Sequence, residues 1–579
     1  MYYRWFAVCL CWVVAIAPLH SEEQQTEKPI LDYGARVHPV ISHGGMVVSR
    51  DALASKVGAD ILASGGNAVD AAVATGFALA VTFPQAGNIG GGGFMMLYLA
   101  KEGRTIALDY REMAPAAAHR ELFWSEDGGV DAERARFSLQ SAGVPGTVAG
   151  FLHAQKKYGA LPLKKVLQPA IKLANEGFTV GYPLAFSLQN RGARLKKDPA
   201  STQYFFKTDG ENYQAGDKLI QKELAWTLNK IASTGRKGFY EGEVADRIVA
   251  QMEQGGGLIT RDDLQNYKVV ERQPVRGTYR GYDIVSMPPP SSGGVHLIQM
   301  LNMLEGFDIQ ELGHNSAYYI HTLTEVMRRA YADRSKYLGD PDFYDVPVEA
   351  LLEKSYAERL RKDISLIRAT PSLDVAPALE LPEESPQTTH FTVWDQHGNV
   401  VSNTYTLNFS YGSGISVAGA GFLLNNEMDD FSAKPGQPNA YGLVGGEANA
   451  IEAGKRPLSS MTPTLVFKDG KPWMATGSPG GSVIINVVLQ TILNTIDFDM
   501  NVAEAAIAPR IHHQWLPDRL RLEEGISPDT QRLLVRQGHH LHSGRWLPGR
   551  TSTILSEGGK LFGYCDPRWP GGAAIGVEP

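Results

Sequence analysis

Apolar residues at helical spacing dominate the chain from about residue 39 to residue 370. Such stretches, most of them closed by a nearby glycine or proline, predict helices at residues 51–64, 67–81, 148–158, 164–176, 220–233, 243–253, 294–305 and 315–337. Short β-like runs lie between them at residues 93–99, 105–109 and 282–287. The first two thirds of the chain are therefore predicted to be mainly helical.

The pattern changes near residue 381. Residues 381–387 are polar and interrupted by proline, as in an exposed linker. Residues 390–394 and 400–407 then alternate between apolar and polar on either side of a turn at 395–399, which predicts a hairpin. Further strands are predicted at residues 464–467, 473–476, 553–555 and 561–564, with a long apolar helix at 483–496. A helical half followed by a sheet-rich half predicts sheets packed between helices.

The N-terminus has the pattern of a secretory signal. One positive charge precedes an apolar run over residues 5–19, and a polar segment follows. The apolar run is shorter than the about 20 residues that span a bilayer. We expect a signal peptide over residues 1–22 and an exported protein, periplasmic or secreted; an uncleaved membrane anchor is the alternative. Because Cys9 and Cys11 lie in this segment, Cys565 is left alone in the mature chain and cannot form an internal disulfide.

Bulk composition sets further bounds on the class of protein. The 579 residues are 43% hydrophobic and 20% charged, which is typical of a globular protein. This length predicts two domains or one large layered domain. A formal net charge of -7 and the absence of a lysine- and arginine-rich run argue against nucleic acid as a partner.

Thr388 follows the predicted linker directly and opens the predicted hairpin. A threonine hydroxyl is a poor nucleophile unless a neighbouring group takes its proton, and a free α-amine with a pKa of about 7.7–8.0 can do so. A cut between Gln387 and Thr388 would provide that amine. Taken alone, a threonine at the start of a strand is more often structural.

Several longer motifs extend this interpretation. After the linker they are TTHFTV at 388–393, NTYTLN at 403–408, LNNEMDDF at 424–431 and RPLSSMTP at 456–463; before it they are GGNAVDAA at 65–72, PQAGNIGGGGF at 84–94 and DYREMAP at 109–115. In order and spacing they resemble the small and large subunits of γ-glutamyltransferases, also called γ-glutamyltranspeptidases or glutathione hydrolases, of the N-terminal-nucleophile superfamily. The resemblance covers nearly all of the mature chain.

The resemblance implies residue roles, which suit a substrate with an α-carboxylate and an α-ammonium beside the scissile amide. Arg111, Ser459 and Ser460 would bind the carboxylate, since a guanidinium and hydroxyls donate to it. The substrate-binding residues implied for the ammonium end are Asp430, Glu427 and Asn408. Thr406 would orient Thr388. Without the resemblance, Arg111 would be interpreted as a surface ion pair and the serine pair as an ordinary turn.

Gly480 and Gly481 lie just before the predicted helix 483–496. Backbone N–H groups at a helix N-terminus are natural donors to an oxyanion, which makes these glycines catalytic candidates. A phosphate-binding loop is the competing interpretation, but the Gly-Lys-Ser/Thr ending is missing. Residues 435–446, including Tyr441, resemble the family's lid loop over the substrate. The implied mechanism requires no cofactor and no metal.

The resemblance implies an α+β fold, a four-layer αββα sandwich formed by a large subunit (23–387) and a small subunit (388–579) of one precursor. The implied activity is transfer of the γ-glutamyl group of glutathione and related compounds to water or to an amino acid or dipeptide acceptor. One alternative is an acylase of the same fold that removes glutaryl side chains from β-lactams. The other is a catalytically silent exported binding protein.

Overall fold

The computed structural model describes residue 1 and residues 37–375, 388–437, 445–542 and 549–579. The predicted signal peptide, the predicted linker at 381–387, and Tyr441 with most of the predicted lid loop lie outside these residues. Residues 37–579 form one compact unit. Within the described part of the chain, none of the helices has the length and apolar character required to cross a membrane.

Twenty α-helices occur in the described residues. They are α1 (Ala52–Ala63), α2 (Ala68–Thr82), α3 (Ala132–Phe137), α4 (Thr147–Tyr158), α5 (Leu163–Glu176), α6 (Tyr182–Arg191), α7 (Pro199–Phe205), α8 (Lys222–Thr234), α9 (Lys237–Tyr240), α10 (Gly242–Gly255), α11 (Arg261–Asn266), α12 (Gly293–Leu304), α13 (Ile309–Leu312), α14 (Ala317–Tyr337), α15 (Val348–Leu352), α16 (Lys354–Lys362), α17 (Ser372–Val375), α18 (Val483–Ile496), α19 (Val502–Ile507) and α20 (Pro528–Arg536).

The same residues contain eighteen strands. They are β1 (Val40–Ser42), β2 (Gly45–Ser49), β3 (Gly92–Leu99), β4 (Arg104–Tyr110), β5 (Phe178–Thr179), β6 (Lys218–Leu219), β7 (Val270–Arg272), β8 (Val275–Tyr279), β9 (Tyr282–Ser286), β10 (Thr389–Trp394), β11 (Val400–Thr406), β12 (Thr464–Lys468), β13 (Lys471–Thr476), β14 (Ile511–His512), β15 (Arg521–Leu522), β16 (Ser552–Glu557), β17 (Lys560–Cys565) and β18 (Ala573–Val577).

Two seven-stranded antiparallel sheets form the centre of the molecule. The first has the order β1-β17-β16-β13-β12-β9-β8, and the second has the order β18-β2-β10-β11-β3-β4-β7. In both sheets, strands from before Thr388 lie beside strands from after it. The hairpin β10–β11, for example, is hydrogen-bonded to β2 on one side and to β3 on the other.

Strand alternation explains how the sheets stack. In β2, Val47 belongs to one apolar cluster, together with residues of α1 and α2, whereas Met46 and Val48 belong to another. The second cluster contains residues of the first sheet and of α12, α14 and α18. Because successive side chains of a strand point to opposite faces, one face of the second sheet packs on helices and the other packs on the first sheet. The result is the predicted four-layer αββα sandwich.

The predicted helices are confirmed, with ends that differ by at most two residues, and the predicted hairpin and helix 483–496 are also confirmed. The strands, however, are not confined to the second part of the chain, because both sheets contain strands from before and after Thr388. Strands β1, β2 and β8 come from the first part of the chain and were not predicted. β1 and β2 pair with strands far away in sequence, and local periodicity carries no information on such pairing, whereas β8 pairs with its neighbour β9.

Candidate active site

A buried pocket lies where the start of β10, the end of β11 and the N-terminus of α18 meet. Its lining includes Thr388, Thr406 and Gly481, together with Arg111 and Arg334 from the part of the chain before Thr388. Most of the predicted site residues line this one pocket, although they come from distant positions in the sequence: Arg111, Thr388, Thr406, Asn408, Glu427, Asp430, Ser459, Ser460 and Gly481.

The register of the hairpin places Thr388 beside Thr406. Thr389 pairs with Tyr405 in the antiparallel ladder, so Thr388 stands opposite Thr406. The Thr388 hydroxyl lies 3.5 Å from the Thr406 hydroxyl, which also accepts a hydrogen bond of 2.8 Å from the backbone N–H of Asn408. Thr388 is only 6% exposed, so its hydroxyl faces the pocket and not bulk water. Thr406 thus links the candidate nucleophile to the loop that follows β11.

The glycine run at residues 90–93 allows β3 and the segment before it to pack closely against β11, next to Thr406. A Cβ atom on Gly91 would lie 2.0 Å from the Thr406 carbonyl oxygen, and one on Gly93 would lie 2.4 Å from that of Thr404. The buried Asn88 side chain donates to the Thr406 carbonyl at 2.9 Å and accepts from the Gly91 N–H at 2.9 Å. The run therefore packs β3 against β11 and is not a dinucleotide-binding loop.

The turn before α18 presents unpaired backbone donors. Gly480 and Gly481 have φ angles of +143° and +58°, values that favour glycine. Within the described residues, neither N–H donates to a protein acceptor. Gly481 lines the pocket with Thr388, whereas Gly480 is its immediate neighbour and is not part of the lining. This geometry suits stabilisation of an oxyanion at the helix N-terminus.

Arg111 is fully buried among three carboxylates. Its guanidinium forms ion pairs with Glu427 and Asp430 and lies 3.4 Å from Glu112, while its Nε donates to the Pro457 carbonyl at 3.2 Å. The predicted carboxylate-binding cation is therefore paired with the predicted ammonium-binding acids. Three carboxylates contact the one guanidinium of Arg111, which suits a ligand that brings an ammonium group of its own.

Burial and mutual repulsion shift the pKa values of these groups. Burial raises the pKa of Glu112 to about 7, against the opposing effect of Arg111. Burial likewise raises the pKa of Glu427 well above its usual range. Burial alone would lower the pKa of Arg111, but the attraction of Glu427 and Asp430 outweighs it and raises that pKa, so the guanidinium stays charged. One cation cannot compensate three carboxylates, and the cluster consequently holds a proton near neutral pH.

The two serine hydroxyls have their acceptor sides occupied. Ser459 Oγ accepts from the Met461 N–H at 3.1 Å, and Ser460 Oγ accepts from the Arg334 guanidinium at 3.2 Å. Neither hydroxyl donates to a protein acceptor among the residues that the structure describes. Each hydroxyl can therefore donate its hydrogen to an anionic ligand group, as expected for binding a carboxylate.

Asn408 holds the loop after β11 in place. It has a φ of +72°, an uncommon value outside glycine, and its side-chain amide donates to the Asn426 carbonyl at 3.0 Å. This contact ties Asn408 to the segment that carries Glu427 and Asp430. The structure thus brings the predicted acceptors of an ammonium group together.

His390 lies two residues from Thr388 and is the nearest candidate for a side-chain base in the sequence. Its ring nitrogens contact the hydroxyls of Thr404 at 2.8 Å and Thr392 at 3.1 Å. Burial lowers the pKa of His390 to about 3, so the ring is neutral and has both nitrogens engaged. His390 is a core residue between the sheets, with its ring nitrogens on Thr404 and Thr392 rather than on Thr388.

Three residues that the sequence did not predict also contribute to the site: Arg334, Glu112 and Ser482. Arg334 and Ser482 line the pocket, and Glu112 contacts Arg111. Arg334 lies in the long helix α14, which the sequence predicted only as a helical stretch at residues 315–337. Its burial, at 4% exposure, is the property that periodicity in the sequence did not reveal.

The chain is similar to known proteins over nearly all of its length. The family model described as Gamma-glutamyltranspeptidase matches residues 54–576. The chain belongs to the γ-glutamyltranspeptidase family. It is 51% identical to the glutathione hydrolase proenzyme of Escherichia coli (strain K12) over 561 residues, which is 96% of this chain and 95% of the relative.

Solved structures agree with the fold of this γ-glutamyltranspeptidase family member. The cephalosporin acylase from Bacillus halodurans superimposes with a TM-score of 0.83 at 30% identity, covering 96% of this chain and 99% of that one. The γ-glutamyltranspeptidase of Helicobacter pylori is 47% identical with a TM-score of 0.56, covering 59% of this chain and 97% of that one. The resemblance stated from the motifs is therefore confirmed, and so is the N-terminal-nucleophile fold.

Proposed function

We propose that this chain is an autoprocessing γ-glutamyltransferase and glutathione hydrolase whose nucleophile is Thr388. The observation that carries the proposal is a single pocket with three sets of groups. Thr388 supplies a nucleophile, and the Gly481 N–H, which has no acceptor among the described residues, supplies an oxyanion donor. Arg111 with Ser459 and Ser460 supplies donors for a carboxylate. Glu427 and Asp430 supply acceptors for an ammonium group. A γ-glutamyl group has these complementary parts.

Processing would begin with attack of the Thr388 hydroxyl on the carbonyl carbon of Gln387. The peptide C–N bond breaks as an ester forms, and the nitrogen of Thr388 takes up the hydroxyl proton. Water then hydrolyses the ester to leave a carboxylate on Gln387 and a free α-amine on Thr388. The products would be a large subunit ending at residue 387 and a small subunit of residues 388–579.

Turnover would use the same hydroxyl on a γ-glutamyl amide. The Thr388 α-amine takes the hydroxyl proton as the oxygen attacks the γ-carbonyl carbon, and the N–H groups of Gly480 and Gly481 stabilise the oxyanion. The amine product leaves with that proton, and the γ-glutamyl group stays on Thr388 as an ester. Water, or the amine of an amino acid or dipeptide, then takes the group and restores the hydroxyl.

The substitution Thr388→Ala tests both steps. It should yield an uncleaved chain with no turnover of a γ-glutamyl anilide, as judged by mass spectrometry and by release of the aniline. Thr389→Ala is the matched control, because Thr389 is the next residue, is fully buried and has a hydroxyl oxygen without a partner in the described part of the chain. That variant should still be cleaved before Thr388. A Thr388→Ala chain that splits into two subunits would overturn the proposal.

An acylase acting on glutaryl side chains is the alternative that the similarity to the Bacillus halodurans cephalosporin acylase brings forward. A glutaryl group has no ammonium, so its carboxylate would compete with Glu427 and Asp430 for Arg111 without bringing a cation, which is unfavourable in a buried pocket. Comparing turnover of a γ-glutamyl anilide and a glutaryl anilide decides between the two. Preference for the glutaryl compound would replace the proposed activity.

The proposed location is outside the cytoplasm, with removal of residues 1–22. It is supported by the pattern of residues 1–28 alone. N-terminal sequencing of the protein recovered from the periplasm or the medium tests it. Recovery only in the cytoplasmic fraction with Met1 retained would contradict it.

A further inference from the structure

Helix α14 faces the active-site pocket with two buried polar side chains. Tyr331 and Arg334 are 1% and 4% exposed, and at a spacing of three residues they lie on the same side of the helix. Both belong to the part of the chain before Thr388. Tyr331 contacts the turn proposed to stabilise the oxyanion, and Arg334 contacts the serines proposed to bind the carboxylate.

Tyr331 contacts the turn that carries the oxyanion donors. Its hydroxyl donates to the backbone carbonyl of Ser482, the N-cap residue of α18, which directly follows Gly480 and Gly481. The Ser482 hydroxyl donates to the side chain of Gln514 at 2.8 Å. Ser482 is thus fixed on its backbone side by Tyr331 and on its side-chain side by Gln514. Fixing Ser482 fixes the direction of the two preceding N–H groups.

Arg334 contacts the serines that would bind the substrate carboxylate. Its Nη2 donates to the Ser460 hydroxyl oxygen at 3.2 Å, and its Nε donates to the Ser292 hydroxyl oxygen at 2.9 Å. Ser292 in turn donates from its hydroxyl to the Ser459 carbonyl at 2.8 Å. Because a guanidinium can only donate, it occupies a lone pair of Ser460 and leaves that hydroxyl's hydrogen for a ligand. Arg334 therefore sets the polarity of the Ser460 hydroxyl.

We propose that Tyr331 and Arg334 are positioning residues, which act through the Gly480–Gly481 turn and through Ser459–Ser460 respectively. This inference rests on the proposed γ-glutamyl-transfer function. An oxyanion forms only on the way to the transition state, so loss of the Tyr331 contact lowers kcat. The substrate carboxylate is bound in both the ground state and the transition state, so loss of the Arg334 contact raises KM. One helix then supports oxyanion stabilisation through Tyr331 and carboxylate binding through Arg334.

The first experiment compares Tyr331→Phe with Tyr319→Phe in processed enzyme whose active sites have been counted. Tyr319 lies on the same helix, is equally buried, and has a hydroxyl without a partner among the described residues. Tyr331→Phe should lower kcat roughly tenfold with KM within about twofold of wild type, as expected for one hydrogen bond. Tyr319→Phe should retain the wild-type kcat. Equal kcat in the two variants, or a rise in KM at constant kcat for Tyr331→Phe, would overturn the assignment of Tyr331.

The second experiment compares Arg334→Gln with Lys336→Gln, which removes an exposed positive charge from the same helix. Arg334→Gln should raise KM for γ-glutamyl anilide roughly tenfold with kcat within about twofold. With 4-aminobutyryl anilide, which lacks the α-carboxylate, Arg334→Gln and wild type should have the same kcat/KM. An equal loss with both substrates would identify a purely structural role and overturn the assignment of Arg334.

The wild-type enzyme separates this proposal from the proposed function. If processed wild type does not turn over γ-glutamyl anilide, the proposed function fails and the present inference with it. If wild type is active and the variants of Tyr331 and Arg334 behave like their controls, the proposed function stands and only the positioning roles of these two residues fail.

Discussion

Thr406 contacts two parts of the active site through one hydroxyl. It lies 3.5 Å from the Thr388 hydroxyl and accepts from the Asn408 N–H at 2.8 Å. We expect Thr406→Val, which keeps the shape and removes the hydroxyl, to lower kcat roughly ten- to hundredfold, because a buried N–H loses its acceptor and Thr388 loses its neighbour. Steady-state kinetics on processed enzyme measures this. Thr406→Ser should retain most of the activity; an equal loss in both variants would contradict the role of the hydroxyl.

The carboxylate cluster around Arg111 predicts a dependence of stability on pH. The pKa of Glu112 is raised by burial to about 7, against a usual value of 4.5. Between these values the folded protein holds a proton that the unfolded chain has released, so the contribution of Glu112 to stability is full below pH 4.5 and is lost as pH rises through 7. Glu112→Gln does not titrate, and its Tm should rise relative to wild type from pH 5 to pH 8.

Thermal melts of both proteins in the same processed state, at several pH values, measure this difference. Glu102→Gln is the control, since Glu102 is half exposed and its ion pair with Arg104 is screened by water. The difference between Glu102→Gln and wild type should stay flat. A flat difference for Glu112→Gln as well would show that the cluster holds no extra proton.

At the scale of the residue, the sequence was informative where a motif carried chemistry. Thr388, Arg111 and Asp430 were predicted from motifs that resemble a family, and the fold brings them into one pocket. Tyr331 and Arg334 were missed because a tyrosine and an arginine in a long helix are more often at its surface. The packing of α14 against α12 and against elements from after Thr388 buries them, and that packing is a tertiary property.

At the scale of the element, β3 and β11 approach each other more closely than side chains permit. A Cβ on Gly93 would lie 2.4 Å from the Thr404 carbonyl oxygen and 2.6 Å from the Tyr405 Cα. Gly93→Ala should therefore destabilise the protein by about 1–3 kcal/mol or more, and also impair processing, because β11 supports Thr388. Gly181→Ala is the control, as its Cβ would have an ordinary contact of 3.5 Å with Pro183. Tm and soluble yield measure the effect, and equal values for the two variants would contradict it.

Helices were predicted better than strands for a physical reason. Helical hydrogen bonds are local, so a period of 3.6 residues and a closing glycine or proline located α2, α4 and α18 closely. A strand such as β2 is stabilised by β10 and β18, which are hundreds of residues away in sequence. The layered architecture could be predicted from the order of elements and the family resemblance. The sharing of each sheet between both parts of the chain could not be derived from local pattern.

At the scale of the whole molecule, the two parts of the chain are interleaved. In one sheet β10 and β11 are inserted between β2 and β3, and in the other β17, β16, β13 and β12 lie between β1 and β9. After cleavage before Thr388, we expect the fragments to elute together in size-exclusion chromatography, at the volume of uncleaved Thr388→Ala. They should separate only in denaturant. Separation in native buffer would contradict the hydrogen-bonded sharing of the sheets.

This interleaving has a consequence for the lifetime of the mature enzyme. An uncut chain that unfolds keeps its strands on one molecule, whereas a cut chain that unfolds releases two molecules that must meet again by diffusion. Each released fragment would expose strand edges that are prone to aggregate. Heat inactivation of the cut enzyme should therefore be irreversible and depend on the rate of heating, and that of the uncut chain less so. Processing makes folding a one-time event, after which the height of the unfolding barrier determines how long the enzyme survives.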